Sequence, residues 1–265
     1  MSGWLVSNVP PGLLLVGLIV VIAGGGAMLI ARVIRRRFPA LTRDEHNDVT
    51  KFTYTFIGFI YAFLIGFMSS SMWGGQISAA DANARAEGAA AIEMARDLVA
   101  FDKSDADRLR RSLLDYEKSA IAEWERGPGT RSPGTDDALA QLMSAYRQVT
   151  ATTDSQKTVL STSYANLDKM SQARTVRLLT AREDTGPPWP LWAVIFLTSA
   201  LVLGTVVIYG GVDKAGLHYP MVAIVGLIVA TNLFLLVEAS HPYIGGISTT
   251  PDPLYEAVSV ITGQR

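Results

Sequence analysis

The sequence predicts an all-helical, polytopic membrane protein: four transmembrane helices and one helical bundle outside the bilayer. Three observations predict it. Four stretches of about twenty residues carry almost no charge, and at about 1.5 Å per residue each spans roughly 30 Å of hydrocarbon. Residues 74–188, between the second and third stretches, hold 15 of the 23 basic and 17 of the 24 acidic side chains. No alternating strand pattern occurs anywhere. The composition agrees, with 49% hydrophobic and 18% charged residues over 265 positions, where soluble domains average about 25% charged.

The first stretch, Leu13–Ala31, reads LLLVGLIVVIAGGGAMLIA and runs into RVIRRRF. Its arginines follow the apolar run instead of preceding it, so it reads as an uncleaved anchor and not a signal peptide. Gly24, Gly25 and Gly26 lie at mid-bilayer depth and read as close helix packing or a bend. The second stretch, Phe52–Trp73, is flecked with Thr53, Thr55 and Ser69–Ser71. The third, Trp189–Tyr209, has Trp189, Trp192 and Tyr209 as interfacial anchors. The fourth, Pro220–Glu238, opens on a proline that a first helical turn tolerates. The predicted organisation is a hairpin over 1–73, the bundle over 74–188, a second hairpin over 189–238 and an extended tail over 239–265.

Charge gives one indication of orientation, although Arg174, Arg177 and Arg182 also sit close to the third span and weigh against it. Arg32, Arg35, Arg36, Arg37, Arg43 and Lys51 crowd the loop between the first two spans, while the twelve residues before Leu13 carry no charged side chain. The positive-inside rule puts that loop in the cytoplasm and both termini, with residues 74–188, outside.

Within the bundle, Gln76–Phe101 has ten alanines among residues 79–100 and no early breaker, so the second span continues into it as helix. Ser104 with Asp107 is a weak cap signature. Leu109, Leu113, Tyr116 (or Leu114), Ala120 and Trp124 then form an amphipathic stripe. Gly127–Gly129 end that helix, Thr135 caps the next, and the stretch Val149–Ser155 breaks the long helical run. Leu160, Tyr164, Leu167, Met170 and Leu178 continue a helical face. Gly186, Pro187, Pro188 and Pro190 stop it.

Candidates for catalysis are few. His46, His218 and His241 stand at no metal-ligand spacing, and no hydrolase or phosphate-loop motif occurs. The net charge of -1 excludes a nucleic-acid binder working through a positive field, and zero cysteines exclude thiolate chemistry. No catalytic residue, metal or cofactor is expected. The carboxylates Glu87, Glu93, Asp97, Asp115, Glu117, Glu123 and Glu125 read as a solvated, salt-bridged helix face, with a cation-attracting vestibule as the alternative.

On the second span, Phe59, Phe63 and Phe67 stand at i, i+4 and i+8, followed by Ser69, Ser70 and Ser71. Phe56 and Tyr61 are assigned to other faces. In a monomer such a stripe is ordinary packing. In a ring of identical subunits it becomes a set of aromatic collars around a shared axis, and apolar constrictions gate by dewetting.

Several segments together resemble the bestrophin-like membrane proteins of bacteria. They are the arginine-rich end of the first span, DEHND at 44–48, AFLIGF at 62–67 running into EGAAAI, LLDYEKSAIAEW, PPWPLW, and HPYIGG followed by TPDPL. LIGF at 64–67 resembles the neck element of bestrophins, which implies a pore constriction at Phe59, Phe63 and Phe67 with Ser69–Ser71 at its mouth. His241, Pro242, Tyr243, Ile244 and Gly245 resemble the segment that follows a bestrophin's fourth span, with histidine in place of its aspartate. That segment is expected to pack as an ordered tail, with His241, Pro242, Tyr243 and Leu254 as its contacts. Asp252 and Glu256 are too few to form the family's calcium clasp.

The resemblance implies a homo-oligomer, a pentamer in known bestrophins, that conducts inorganic ions passively across a bacterial inner membrane, with a cytoplasmic helical domain. The net charge of -2 over residues 74–188 leans towards cations. The alternative is a non-conducting membrane sensor or scaffold acting through protein partners. A membrane enzyme ranks third.

Overall fold

The computed structural model describes residues 6, 8–37, 47–183, 185–208 and 215–263, and every described segment of regular structure is helical. DEHND with His46, the side chains of Arg35 and His218, and Tyr209 lie wholly or partly outside the described residues.

Two units emerge, one formed by residues 1–76, 185–241 and 245–247, the other by 77–184, 242–244 and 248–265. The boundaries fall at 76/77 and 184/185, and the tail is divided between the two units.

In the first unit, α1 (Pro11–Ile19) passes into a π-helical stretch, Val20–Ala27, and then α2 (Met28–Arg37). The π turns hold all three glycines, yet Gly24 and Gly25 are exposed and a side chain at Gly24 would meet nothing within 4 Å. The close packing expected of the glycines belongs instead to their neighbour. A Cβ at Gly226 would lie 2.8 Å from Cα of Ala23, so two backbones meet there. The second apolar stretch falls in α3 (Asn47–Met72), followed by a second π turn, Trp73–Ile77. The third and fourth apolar stretches fall in α8 (Trp189–Ile208) and α9 (Ala215–Ala239). Pro220 thus sits inside α9 and not in its first turn. Helix α3 packs against α8 and α9, and α9 also covers α1 and the first π stretch. Three helices, Phe52–Ala100, Trp189–Ile208 and Tyr219–Ala239, are long and apolar enough to cross a membrane, and Pro11–Gly26 is a shorter apolar helix.

The second unit contains α4 (Ser78–Asp97), α5 (Lys103–Arg126), α6 (Pro133–Arg147), α7 (Asp154–Thr180) and α10 (Asp252–Thr262). The helical run begun in α3 goes on through Trp73–Ile77 into α4, which its alanine content favours. The α5 stripe is buried as read: Leu109, Leu113, Tyr116 and Ala120 are fully inaccessible, and Trp124 nearly so. Of the later face, Leu167, Met170 and Leu178 are buried, whereas Leu160 and Tyr164 lie at its edge.

Caps shift from their expected places. Helix α5 starts at Lys103 after Asp102, with no side-chain cap from Ser104. Helix α6 starts at Pro133, so Thr135 lies inside it and donates its hydroxyl to the Ser119 carbonyl at 3.0 Å. The expected break at Val149–Ser155 is real, and Thr153 caps α7 reciprocally with Gln156.

The tail is extended only in part. Asp252–Thr262 is helix, because Pro253 falls in its first turn, where no hydrogen bond is lost. Helix α10 packs against α4 and α5. It meets α4 at Gly88, where a Cβ would collide with the Pro253 carbonyl oxygen and lie 2.7 Å from its carbon. That close approach explains why one face of the alanine-rich helix is so small.

Candidate functional site: the α3 phenyl stripe and a buried charge cluster

Helix α3 has two contrasting faces. Tyr61, Ile65, Met68 and Met72 are buried inside the first unit. Phe59, Phe63 and Phe67 are 69%, 68% and 63% exposed. At 100° per residue, Phe52, Phe56, Phe59, Phe63 and Phe67 share an arc of about 80°, roughly opposite the buried side. Phe56 therefore belongs to the stripe, 58% exposed, and so does Phe52 at 77%. Tyr61 is on the other face, as read. Beyond Phe67, Ser69 is half-buried while Ser70 and Ser71 are exposed.

His241 and Pro242 are both buried. In the first unit, Nδ1 of His241 lies 3.1 Å from the Val237 carbonyl oxygen. Nearby, Oε2 of the buried Glu238 accepts from the Gly246 amide at 2.6 Å. In the second unit, Tyr243 and Leu254 are 4% and 0% exposed and join its core. Asn83 Nδ2 donates to the Tyr243 hydroxyl at 3.4 Å and to the Ala173 carbonyl at 2.8 Å. The Tyr243 ring meets Trp124 edge-on, with centroids 5.7 Å apart.

Behind Trp124 lies a cluster of buried charge. Glu87, Glu117, Glu123 and Arg177 are fully inaccessible, and Arg174 is 4% exposed. Arg174 donates from Nε and Nη2 to the two oxygens of Glu123, at 2.9 and 2.7 Å, and from Nη1 to Asp136 at 2.8 Å. The Ser132 amide adds a bond to Glu123 at 2.7 Å. Arg177 is spread more thinly. Its Nη2 is 3.4 Å from Glu123, its Nε 3.6 Å from Glu87, and Nη1 donates to the Pro128 carbonyl at 3.3 Å. Tyr116 donates to Glu87 at 3.4 Å, and neither oxygen of Glu117 has a hydrogen-bond partner.

These contacts divide the carboxyls. Burial alone would push Glu123 up, but the Arg174 and Ser132 hydrogen bonds outweigh it and hold the group below its ordinary value. The hydrogen bond from Arg131 lowers Asp136, with Arg174 helping. Burial raises Glu87 despite Arg177. Glu117 stands well above its ordinary value, through burial first and the neighbouring Glu87 charge second.

A family model for the bestrophin-like domain matches residues 21–254. The chain belongs to the bestrophin-like family. Its fold is similar to that of a point mutant of a bacterial bestrophin homologue from Klebsiella pneumoniae, known from a crystal structure. The TM-score is 0.66 at 15% sequence identity, over 94% of this chain and 99% of that one. At that identity the likeness is one of fold. A search of curated proteins gave no significant match.

Family membership and the apolar helices make this bestrophin-like chain a membrane protein. Its carboxylates are not uniformly the solvated face read from the sequence: Glu87, Glu117 and Glu123 are interior. The sequence does hold a signal for this. Glu87 lies within the small-residue stripe Ala84, Gly88 and Ala91, and Glu117 stands four residues after Leu113 on the apolar face of α5. Among the described residues no group of three or more His, Cys, Asp or Glu could hold a metal ion.

Proposed function

We propose that this chain assembles as a homo-oligomer, a pentamer, and passes inorganic ions passively along an axis lined by α3. Phe59, Phe63 and Phe67 form the constriction and Ser69–Ser71 its mouth. The observation that carries this reading is the phenyl stripe, left uncovered on α3 opposite its buried face in a chain of this family. Membership of that family also speaks for a channel over an enzyme.

An apolar collar resists ions because hydration must be stripped with no polar ligand in exchange. The four apolar segments act as four spans of a multi-pass inner-membrane protein, and the -2 net charge of residues 74–188 leans towards cations. The positive-inside rule, applied to the arginine-rich loop, favours residues 74–188 outside the cytoplasm, opposite to the cytoplasmic side that the resemblance to bestrophins implies. A tag in the 127–134 loop that is reachable from outside whole cells supports that orientation, and one reachable only after lysis reverses it.

The conduction test uses vesicles reconstituted with the wild type and with Phe59→Ala, Phe63→Ala and Phe67→Ala combined. The triple variant widens and wets the constriction, so flux rises while its thermal stability stays near that of the wild type. A monomer by size measurement in detergent, or a well-folded triple variant with no flux in any condition, overturns the reading.

A further inference from the structure

The buried cluster of the second unit contains more acid than base. Three fully buried glutamates face two buried arginines. Arg174 is consumed by Glu123 and Asp136. Arg177 is shared among Glu87, Glu123 and the Pro128 carbonyl, and its guanidinium also stands 4.5 Å over the Trp124 ring. Nothing is left for Glu117, whose two oxygens lack any hydrogen-bond partner.

An ionised carboxylate so placed bears the full cost of desolvation, and the cheapest remedy is to bind a proton. We propose that Glu87 and Glu117 hold one proton between them in the folded bundle, and that releasing it as the pH rises loosens the seat of the Pro242–Ile244 segment.

The groups around the pair are few. Helix α4 contributes Glu87, α5 contributes Tyr116 and Glu123, and α7 contributes Arg174 and Arg177. The inserted segment brings Tyr243, whose hydroxyl is bonded to Asn83. Helix α10 keeps its own titratable groups, Asp252, Tyr255 and Glu256, exposed. Helix α6 presents Asp136, bonded to Arg174 and Arg131.

Once Glu117 ionises, it competes with Trp124 for Arg177. Trp124 is the ring against which Tyr243 rests, so the contact chain runs from the proton site to the tail through two side chains. Burial raises both carboxyls above their ordinary value, which gives the direction. The folded chain keeps a proton that the unfolded chain has lost. Stability from this source is complete below the unfolded value and declines as the pH climbs through the folded one, by about tenfold in the folding equilibrium per pH unit.

The full chain in detergent provides the test, read from about pH 5 to about pH 9 by thermal unfolding. A nitroxide on Thr250→Cys reports the tail, and the chain's lack of other cysteines makes that label unique. The expected result is a falling melting temperature and a growing mobile fraction of the label as the pH rises, with both trends flattened in Glu117→Gln. Glu87→Gln flattens them too, because one remaining carboxylate can take Arg177. If Glu117→Gln does not fold, Glu87→Gln alone decides. A wild type insensitive to pH in both readouts, or slopes that persist unchanged in the folded variants, overturns the proposal.

Discussion

The guanidinium carbon of Arg177 lies 4.5 Å from the centre of the Trp124 ring, and both side chains are buried. A cation there is stabilised by the ring face as well as by the carboxylates of Glu87 and Glu123. Replacing Arg177 by Met removes the cation and strands buried acid, at a cost of about 3–5 kcal/mol. Arg177→Lys keeps the charge but loses the planar fork and recovers only part of the loss. Thermal unfolding beside the exposed Arg182→Met measures the difference, and an equal effect from both positions would contradict the buried-pair account.

Glu123 and Asp136 respond to acid, in the opposite sense to Glu87 and Glu117. Their folded values lie below the ordinary carboxyl range, so the stability they contribute is present above the unfolded value and lost as the pH falls through the folded one. Glu123→Gln therefore melts well below the wild type near pH 7. The gap closes as the pH drops below about 4. A gap independent of pH would mean that packing, not charge, sets the effect.

Gly88→Ala sets a methyl group against the Pro253 backbone, which cannot rotate away as a side chain could. Helix α10 must shift, at about 1–3 kcal/mol. Gly134→Ala is the matched comparison, since its Cβ meets only Ser132 Oγ at 3.8 Å. That change leaves stability level or raises it by up to about 1 kcal/mol through helix propensity. Two melting curves decide.

Leu254 is fully buried where α10 meets the rest of its unit. Truncation to Ala leaves a cavity and costs about 2–5 kcal/mol. Deleting residues 241–265 destabilises more, since it also withdraws Tyr243 from Trp124. A truncated protein that melts with the full chain would show that the tail contributes nothing to the bundle.

On α3 the two faces separate flux from stability. Phe56→Ala changes vesicle flux in the same direction as Phe59→Ala, because both rings share the exposed arc. Ile65→Ala, on the buried face, lowers the melting temperature and leaves flux per folded protein unchanged. Flux that follows Ile65 and ignores Phe56 would assign the axis to the other face.

The helices were legible where one periodicity ran unbroken. Leu109, Leu113, Tyr116, Ala120 and Trp124 repeat at three and four residues and all face inward. The sequence reading sets Phe56 apart from the stripe, yet a three-residue step to Phe59 keeps the same side as surely as a four-residue step. The buried cluster was harder to read. Arg174 and Arg177 lie 51 and 54 residues from Glu123 in sequence, so no local pattern joins them, and a lone glutamate on a helix ordinarily means water. Helix α10 was hidden by Pro251 and Pro253, which read as breakers although Pro253 occupies a first turn. The π stretches left no trace, because wider turns need no distinctive residue.

If the first segment crosses the membrane as proposed, the Val20–Ala27 stretch bears on how it fits the bilayer. A helix wound with hydrogen bonds five residues apart is broader and shorter than an α-helix of the same sequence. Leu13–Ala31 therefore reaches less far than its nineteen residues would at the ordinary rise. A segment too short for the surrounding hydrocarbon thins the membrane locally or lets its flanking side chains snorkel. Arg32, Arg36 and Arg37 lie at the end where snorkelling is possible, exposed on α2. On the proposed four-span reading, lipid thickness acts first on this segment, and thicker bilayers strain it before the longer α8 and α9.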